Sequence, residues 1–236
     1  MAQEQGSLFS RVEAVRRELA AASEGRYPPP RLIAVTKTHP AERILPLLEA
    51  GVTEIGENRV QELVEKLPVI REKFQIHLIG RLQSNKVKYI IEDVCLIHSV
   101  DRLSLAREID RQARLHDRVM PVLVQVSPAG EEQKGGIAPE DVRPLLREMA
   151  RMPGIAVRGL MAMMPNVPDE AYLSGLFGGM RELFDHLREE AIDGVAMEEL
   201  SMGMSGDYRL AARCGATMVR IGSALFGPRG SQTGGE

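Results

Sequence analysis

The chain has 236 residues, 44% of them hydrophobic and 27% charged, with a formal net charge of −3. That composition supports one sizeable core. The charges are scattered rather than clustered, so neither nucleic acid nor an anionic membrane is expected as a partner. Cys95 and Cys214 show no metal-ligand spacing and sit in apolar stretches, and no signal-peptide core or transmembrane-length window is found. These features read as reduced core thiols in a cytoplasmic protein.

Ser7 is placed to cap a first helix on which Leu8, Val12, Val15 and Leu19 recur at helical spacing, and Gly25 with Pro28-Pro29-Pro30 stops it. Arg31-Leu32-Ile33-Ala34-Val35 then reads as a strand buried on both faces. It must end near Lys37, because Pro40 lacks an amide proton. A helix is predicted over 41–50, closed by Gly51, then a strand over 52–56 and a charged helix beginning at Glu57-Asn58-Arg59, with Pro68 near its end.

A third apolar run, Ile76 to Gly80, leads into the polar turn Arg81 to Lys86. A fourth, Val94 to Val100, feeds Asp101 as the cap of a helix carrying Leu105, Ile109 and Ala113. The fifth, Met120 to Val126, opens into a loop reaching Gly136 and a helix over 139–151. The sixth, Ile155 to Met163, is followed by a long helix to about Ala191. A short seventh run, Glu199 to Gly203, precedes a helix over 209–214, and Thr217 to Ser223 is the eighth. The tail, from about residue 228 to Glu236, is Gly-rich and polar and is expected to be disordered.

Eight apolar runs, each followed by helical periodicity, predict a single-domain α/β chain folded as a closed (β/α)8 TIM barrel. In such barrels function gathers where strands end. Lys37 would stand there with a dry wall behind it, which lowers an ammonium pKa and favours the free amine that attacks aldehydes. A lysine merely leaving a strand for solvent is the plain alternative. Ser201 to Asp207 alternates small residues with hydroxyls before a helix, and Arg220-Ile221-Gly222-Ser223 offers a guanidinium, an amide and a hydroxyl. Loops after the last two strands are where barrel enzymes often bind phosphate. Together the three clusters describe a pocket for a phosphorylated aldehyde.

Asn58 fits either a helix cap or a pocket residue, Asp207 reads as a cap, and His77 and His98, inside apolar runs, read as core histidines. The Met-rich stretch 161–164 reads as barrel packing, and His39 is left without a role.

The motifs Ala34-Val35-Thr36-Lys37-Thr38, Gly56 to Glu62, His77 to Lys86, Glu131 to Lys134, Leu200 to Ser205 and Val219 to Gly227 together resemble the pyridoxal-phosphate-binding family of the YggS or PROSC type, the PLP homeostasis proteins. Arg81, where histidine is frequent, and Gly135-Gly136 are mild departures at the pocket rim. The resemblance implies a barrel similar to the N-terminal domain of alanine racemase, with pyridoxal 5′-phosphate (PLP) held as a Schiff base. By the same resemblance Lys37 is the Schiff-base lysine, Ser205, Gly222 and Ser223 bind phosphate, and Arg220 lies near the pyridine nitrogen or the phosphate. Asn58 and Ser201 take pocket positions. It further implies a monomeric carrier without turnover, with apo-PLP enzymes as recipients of the cofactor. The alternative is a small PLP enzyme such as an amino-acid racemase. A racemase of this barrel type needs a second acid–base group, supplied in two-domain relatives by an added β domain, and no segment of this chain is expected to form one. A purely structural interaction protein would leave the convergence of Lys37 with two phosphate-like loops unexplained.

Overall fold

The computed structural model describes residues 2–131 and 135–227, apart from the side chains of residues 2–7. The expected disordered tail and the 132–134 part of the loop after the fifth strand lie outside the described residues. Eight parallel strands pair in sequence order and close, first to last. They are β1 (Arg31–Val35), β2 (Glu54–Glu57), β3 (Gln75–Leu78), β4 (Leu96–Val100), β5 (Met120–Val126), β6 (Ile155–Ala162), β7 (Val195–Met204) and β8 (Met218–Ile221). Closure rests on the β1–β8 pairing, with Ile33 opposite Arg220 and Ala34 opposite Ile221. The predicted (β/α)8 architecture is therefore the observed one.

The outer layer consists of α1 (Ala2–Ser23), α2 (Ala41–Ile44), α3 (Pro46–Glu49), α4 (Val60–Ile70), α5 (Leu103–Leu115), α6 (Val142–Met149), α7 (Glu170–Glu190), α8 (Tyr208–Arg213) and α9 (Ser223–Phe226). Each longer helix turns one apolar stripe inward, as Leu8, Val12, Val15 and Leu19 do on α1 and Leu105, Ile109 and Ala113 on α5. Burial of these stripes against the strands supplies the main core, at about 25 cal/mol per Å² of apolar surface. A second, smaller cluster of Ile33, Leu96, Leu123, Met161 and Met218 fills the barrel lumen. Met161 is thus packing, as its sequence context predicted.

Local differences from the sequence reading have local causes. The predicted helix over 41–50 is two short helices, because Pro46 cannot donate to a preceding carbonyl and starts a new one at its favoured first position. Helix α1 starts before Ser7, since Ala2-Gln3-Glu4-Gln5 are tolerated in a helix and extend it. Glu57 and Asn58 do not open a helix: Glu57 ends β2 and α4 begins at Val60, with Arg59 at its cap position. The third unit carries only a 3₁₀ helix, Ser84–Tyr89, and the predicted helix over 139–151 begins as a 3₁₀ turn. Asp101 does not cap α5, because its carboxylate is taken by Arg102 at 2.6 Å. Strand β7 is longer than expected, since Glu199 at its centre is held by Arg31 at 2.5 Å and Thr217 at 2.7 Å. Cys95 and Cys214 are half-buried rather than core, and burial pushes the Cys95 thiol up to about 11.

Candidate functional site

The mouth of the barrel at the strand C-terminal ends is built by register. Val35 pairs with Gly56 on one side, while on the other its preceding residue pairs with Ile221. Lys37, half-buried and two residues past Val35, therefore stands between the end of β2 and the end of β8. Gly222 lies directly against Val35: a Cβ added to the glycine would meet Val35 Cβ at 3.4 Å. Asn58 follows β2 at the same level. The β3 end closes over it so tightly that a Cβ on Gly80 would fall 2.2 Å from the Asn58 carbonyl oxygen, which only glycine permits. Asn58 caps no helix, and its Oδ1 is buried without a hydrogen-bond partner among the described residues.

Beyond β7 and β8, the amides of Gly222 and Ala224 both donate to Ser205 Oγ, at 3.1 and 3.3 Å. Two backbone N–H groups thus point at the Ser205 oxygen, whose own O–H is left to donate onward to an anionic group. Ser223 opens α9 beside them and is exposed. Asp207 sits at the cap position of α8, but its carboxylate turns back to the Met204 amide at 2.5 Å and closes the β7 loop instead.

Below this ring, Arg220 is buried and donates to Ser201 Oγ at 2.5 Å and to the Ala162 carbonyl at 2.9 Å. Burial pushes its guanidinium down to about 10, so it remains charged at neutral pH. Ser201 also meets His98 Nδ1 at 3.0 Å, and His98 Nε2 meets His77 Nδ1 at 2.9 Å. These contacts join β4 to β7 and so run through the lumen. His77 Nε2 lies 3.2 Å from Glu54 Oε2, near enough for charge attraction but off the line of a hydrogen bond. Burial first, then the charges of His77 and Arg220, hold His98 well below the ordinary 6.5, which leaves it neutral at pH 7. The two histidines are core residues, as expected, yet they also brace the serine that orients Arg220.

One group escaped the sequence reading. Glu57, fully buried, receives Thr36 Oγ1 at 2.6 Å and Lys66 Nζ at 2.7 Å. Lys66 also donates to Glu62 at 2.6 Å and to the Thr36 carbonyl at 2.9 Å. Burial raises the Glu57 carboxyl above its ordinary range, against the opposing pull of Lys66 and Thr36. The signal was present, since Lys66 lies in the apolar stripe of Leu63, Leu67 and Ile70, where a lysine is out of place. His39 stacks on Phe226 with ring centroids 4.3 Å apart, and the Tyr208 hydroxyl donates to Glu18 of α1.

The barrel and its mouth define a class: the family model for the alanine racemase N-terminal domain matches residues 11–230. Among curated relatives, a pyridoxal phosphate homeostasis protein of Aquifex aeolicus is 42% identical over 200 residues, covering 84% of this chain and 87% of the relative. One from Escherichia coli is 34% identical over 231 residues, covering 91% and 94%. The chain belongs to the pyridoxal phosphate homeostasis protein family, within the alanine racemase N-terminal domain class. Of solved structures, PipY of Synechococcus elongatus PCC7942 with PLP bound is 35% identical with a TM-score of 0.82, covering 93% of this chain and 99% of PipY. An alanine racemase of Clostridium difficile shares the fold with a TM-score of 0.76 at 16% identity, but the match spans 96% of this chain and only 58% of the racemase.

Proposed function

We propose that this protein binds pyridoxal 5′-phosphate at the barrel mouth and serves PLP homeostasis, holding and releasing the cofactor without turning over a substrate. The observation that carries the reading is the convergence of the Gly222 and Ala224 amides on Ser205 Oγ, beside the strand end that presents Lys37. A phosphate dianion suits those donors, and a buried Asn58 Oδ1 without a partner among the described residues suits a donor on a bound group. Lys37 supplies the amine for a Schiff base to the cofactor's aldehyde. Ser205, Gly222 and Ser223 hold the phosphate, Asn58 and Ser201 line the pocket, and Arg220 lies near the ring. PipY, solved with PLP and matched over nearly its whole length, supports the cofactor assignment.

PLP supplies an electron sink for amino-acid chemistry when its ring nitrogen is protonated. A buried guanidinium that stays charged up to about pH 10 opposes that protonation. The side chains nearest in sequence that could serve as an acid–base partner are engaged elsewhere, Tyr208 by Glu18 and His39 against Phe226. The curated relatives matched along their length are homeostasis proteins. The carrier reading is therefore favoured over a racemase. As a carrier it passes PLP to apo-PLP enzymes, and it acts as a monomer in the cytoplasm. No helix among the described residues is long and apolar enough to cross a membrane.

The test is incubation of the loaded protein with L-alanine in deuterated water. The expected result is no racemisation and no Cα deuterium uptake above that of free PLP. Turnover on the order of 1 s⁻¹, lost in Lys37→Ala, would favour the enzyme.

A further inference from the structure

Thr38 has φ 67, in the left-handed region that β-branched residues avoid. The other non-glycine residues with positive φ among the described residues, Glu24, Asp117 and Ala191, all follow helix C-termini, where such a conformation is a normal cap. Thr38 follows a strand. It lies instead in the turn after β1, which the His39 amide closes by donating to the Thr36 carbonyl at 3.2 Å; that position favours glycine or asparagine, and a threonine strained there persists only where its surroundings hold it.

The holding group is the buried ion cluster under the turn. The Thr38 amide donates to Glu62 Oε1 at 2.5 Å, and the same oxygen accepts from Lys66 Nζ. On the other side of Lys37, the Thr36 carbonyl accepts from Lys66, and the Thr36 hydroxyl shares Glu57 Oε1 with it. All three protons of the Lys66 ammonium have an acceptor. The residues before and after Lys37 are thus tied to one ammonium on α4 that is 7% exposed. A leucine in that stripe would dock α4 against the barrel without the cost of burying charge. What the charged trio adds over a leucine is the set of hydrogen bonds that hold the backbone at residues 36 and 38.

We propose that Lys66, with Glu62 and Glu57, is a positioning group that clamps the strained Thr38 turn and so sets the direction in which the Lys37 amine leaves the backbone. The inference rests on the reading of Lys37 as the cofactor-binding lysine. With the phosphate fixed by the β7 and β8 loops, the amine must meet a carbonyl carbon at a set place, and an error of about 1 Å there costs on the order of 10²-fold in rate.

The experiment measures covalent PLP capture, by growth of the visible band, and release to a competing amine, alongside the melting temperature of the ligand-free protein. Glu62→Ala, at a partly exposed position, removes the acceptor of the Thr38 amide and is expected to slow capture about tenfold and to speed release, with melting little changed. Thr38→Asn, which tolerates the left-handed conformation, is expected to behave as wild type. Should Glu62→Ala fail to fold, Glu62→Asp, which keeps the charge but is one methylene too short to hold both the Thr38 amide and Lys66, decides the matter. Capture and release at wild-type rates in the folded Glu62 variants would overturn the positioning role while leaving Lys37 in place. Lys37→Ala is the control: a covalent band persisting there would overturn the underlying reading instead.

Discussion

Lys66→Met removes the ammonium and nearly preserves the volume, so it isolates the electrostatic role of the cluster. Glu57 would be left fully buried, with the Thr36 hydroxyl on Oε1 and no partner on Oε2. Breaking a buried pair from one side typically costs about 3–5 kcal/mol. Protonation sets a ceiling here. A carboxyl that ordinarily titrates at 4.5 can escape its unpaired charge at pH 7 by taking up a proton. At about 1.36 kcal/mol per pH unit, that escape costs roughly 3.4 kcal/mol. The expected loss at pH 7 is thus about 3 kcal/mol, or roughly 6–12 °C in Tm for a chain of this size. Because the folded pKa of Glu57 is raised, its burden is present at high pH and disappears as pH falls toward the unfolded value. The gap between variant and wild type should therefore shrink by about 2 kcal/mol between pH 7 and pH 5. Urea unfolding at both pH values measures this, and Lys66→Met with Glu57→Gln should recover at least half of the loss. A loss below about 1 kcal/mol, or one of equal size at both pH values, would refute the reasoning.

Two further expectations follow from the site. Ser205→Ala with Ser223→Ala should weaken PLP retention on dialysis at least about tenfold, as two charge-assisted bonds of about 1.5–3 kcal/mol each are removed; unchanged retention would place the phosphate elsewhere. His98, whose folded pKa lies well below 6.5, contributes stability that is present above pH 6.5 and is lost as pH falls through that range, by up to about 1.4 kcal/mol per pH unit. His98→Gln should flatten the pH dependence of Tm between pH 7 and pH 5, and an unchanged slope would contradict the assignment.

The barrel was legible because parallel strands buried on both faces leave continuous apolar runs, and eight of them alternate with helical stripes. The place of Lys37 just past the end of β1 was legible because a strand's end is marked by the proline beyond it. Glu57 was not, since a glutamate beside Asn58 and Arg59 reads as a polar helix start. Its burial depends on Lys66, nine positions later, folding back over it. The His77–His98–Ser201 chain was hidden for a related reason: its two contacts span 21 and 103 positions and form only across the closed lumen. The left-handed Thr38 has no sequence signal at all, as threonine is not the residue that conformation selects. Long-range polar pairing, rather than apolar patterning, is what the sequence conceals.

Cofactor binding by this barrel turns on Lys37 as the residue that carries PLP. Borohydride reduction of the PLP-loaded protein, followed by peptide mapping, addresses that claim directly. The visible band should vanish on reduction, one phosphopyridoxyl group should be found on Lys37, and Lys37→Ala should show neither band nor adduct while remaining folded. A label on another lysine, or a full visible band in Lys37→Ala, would contradict it.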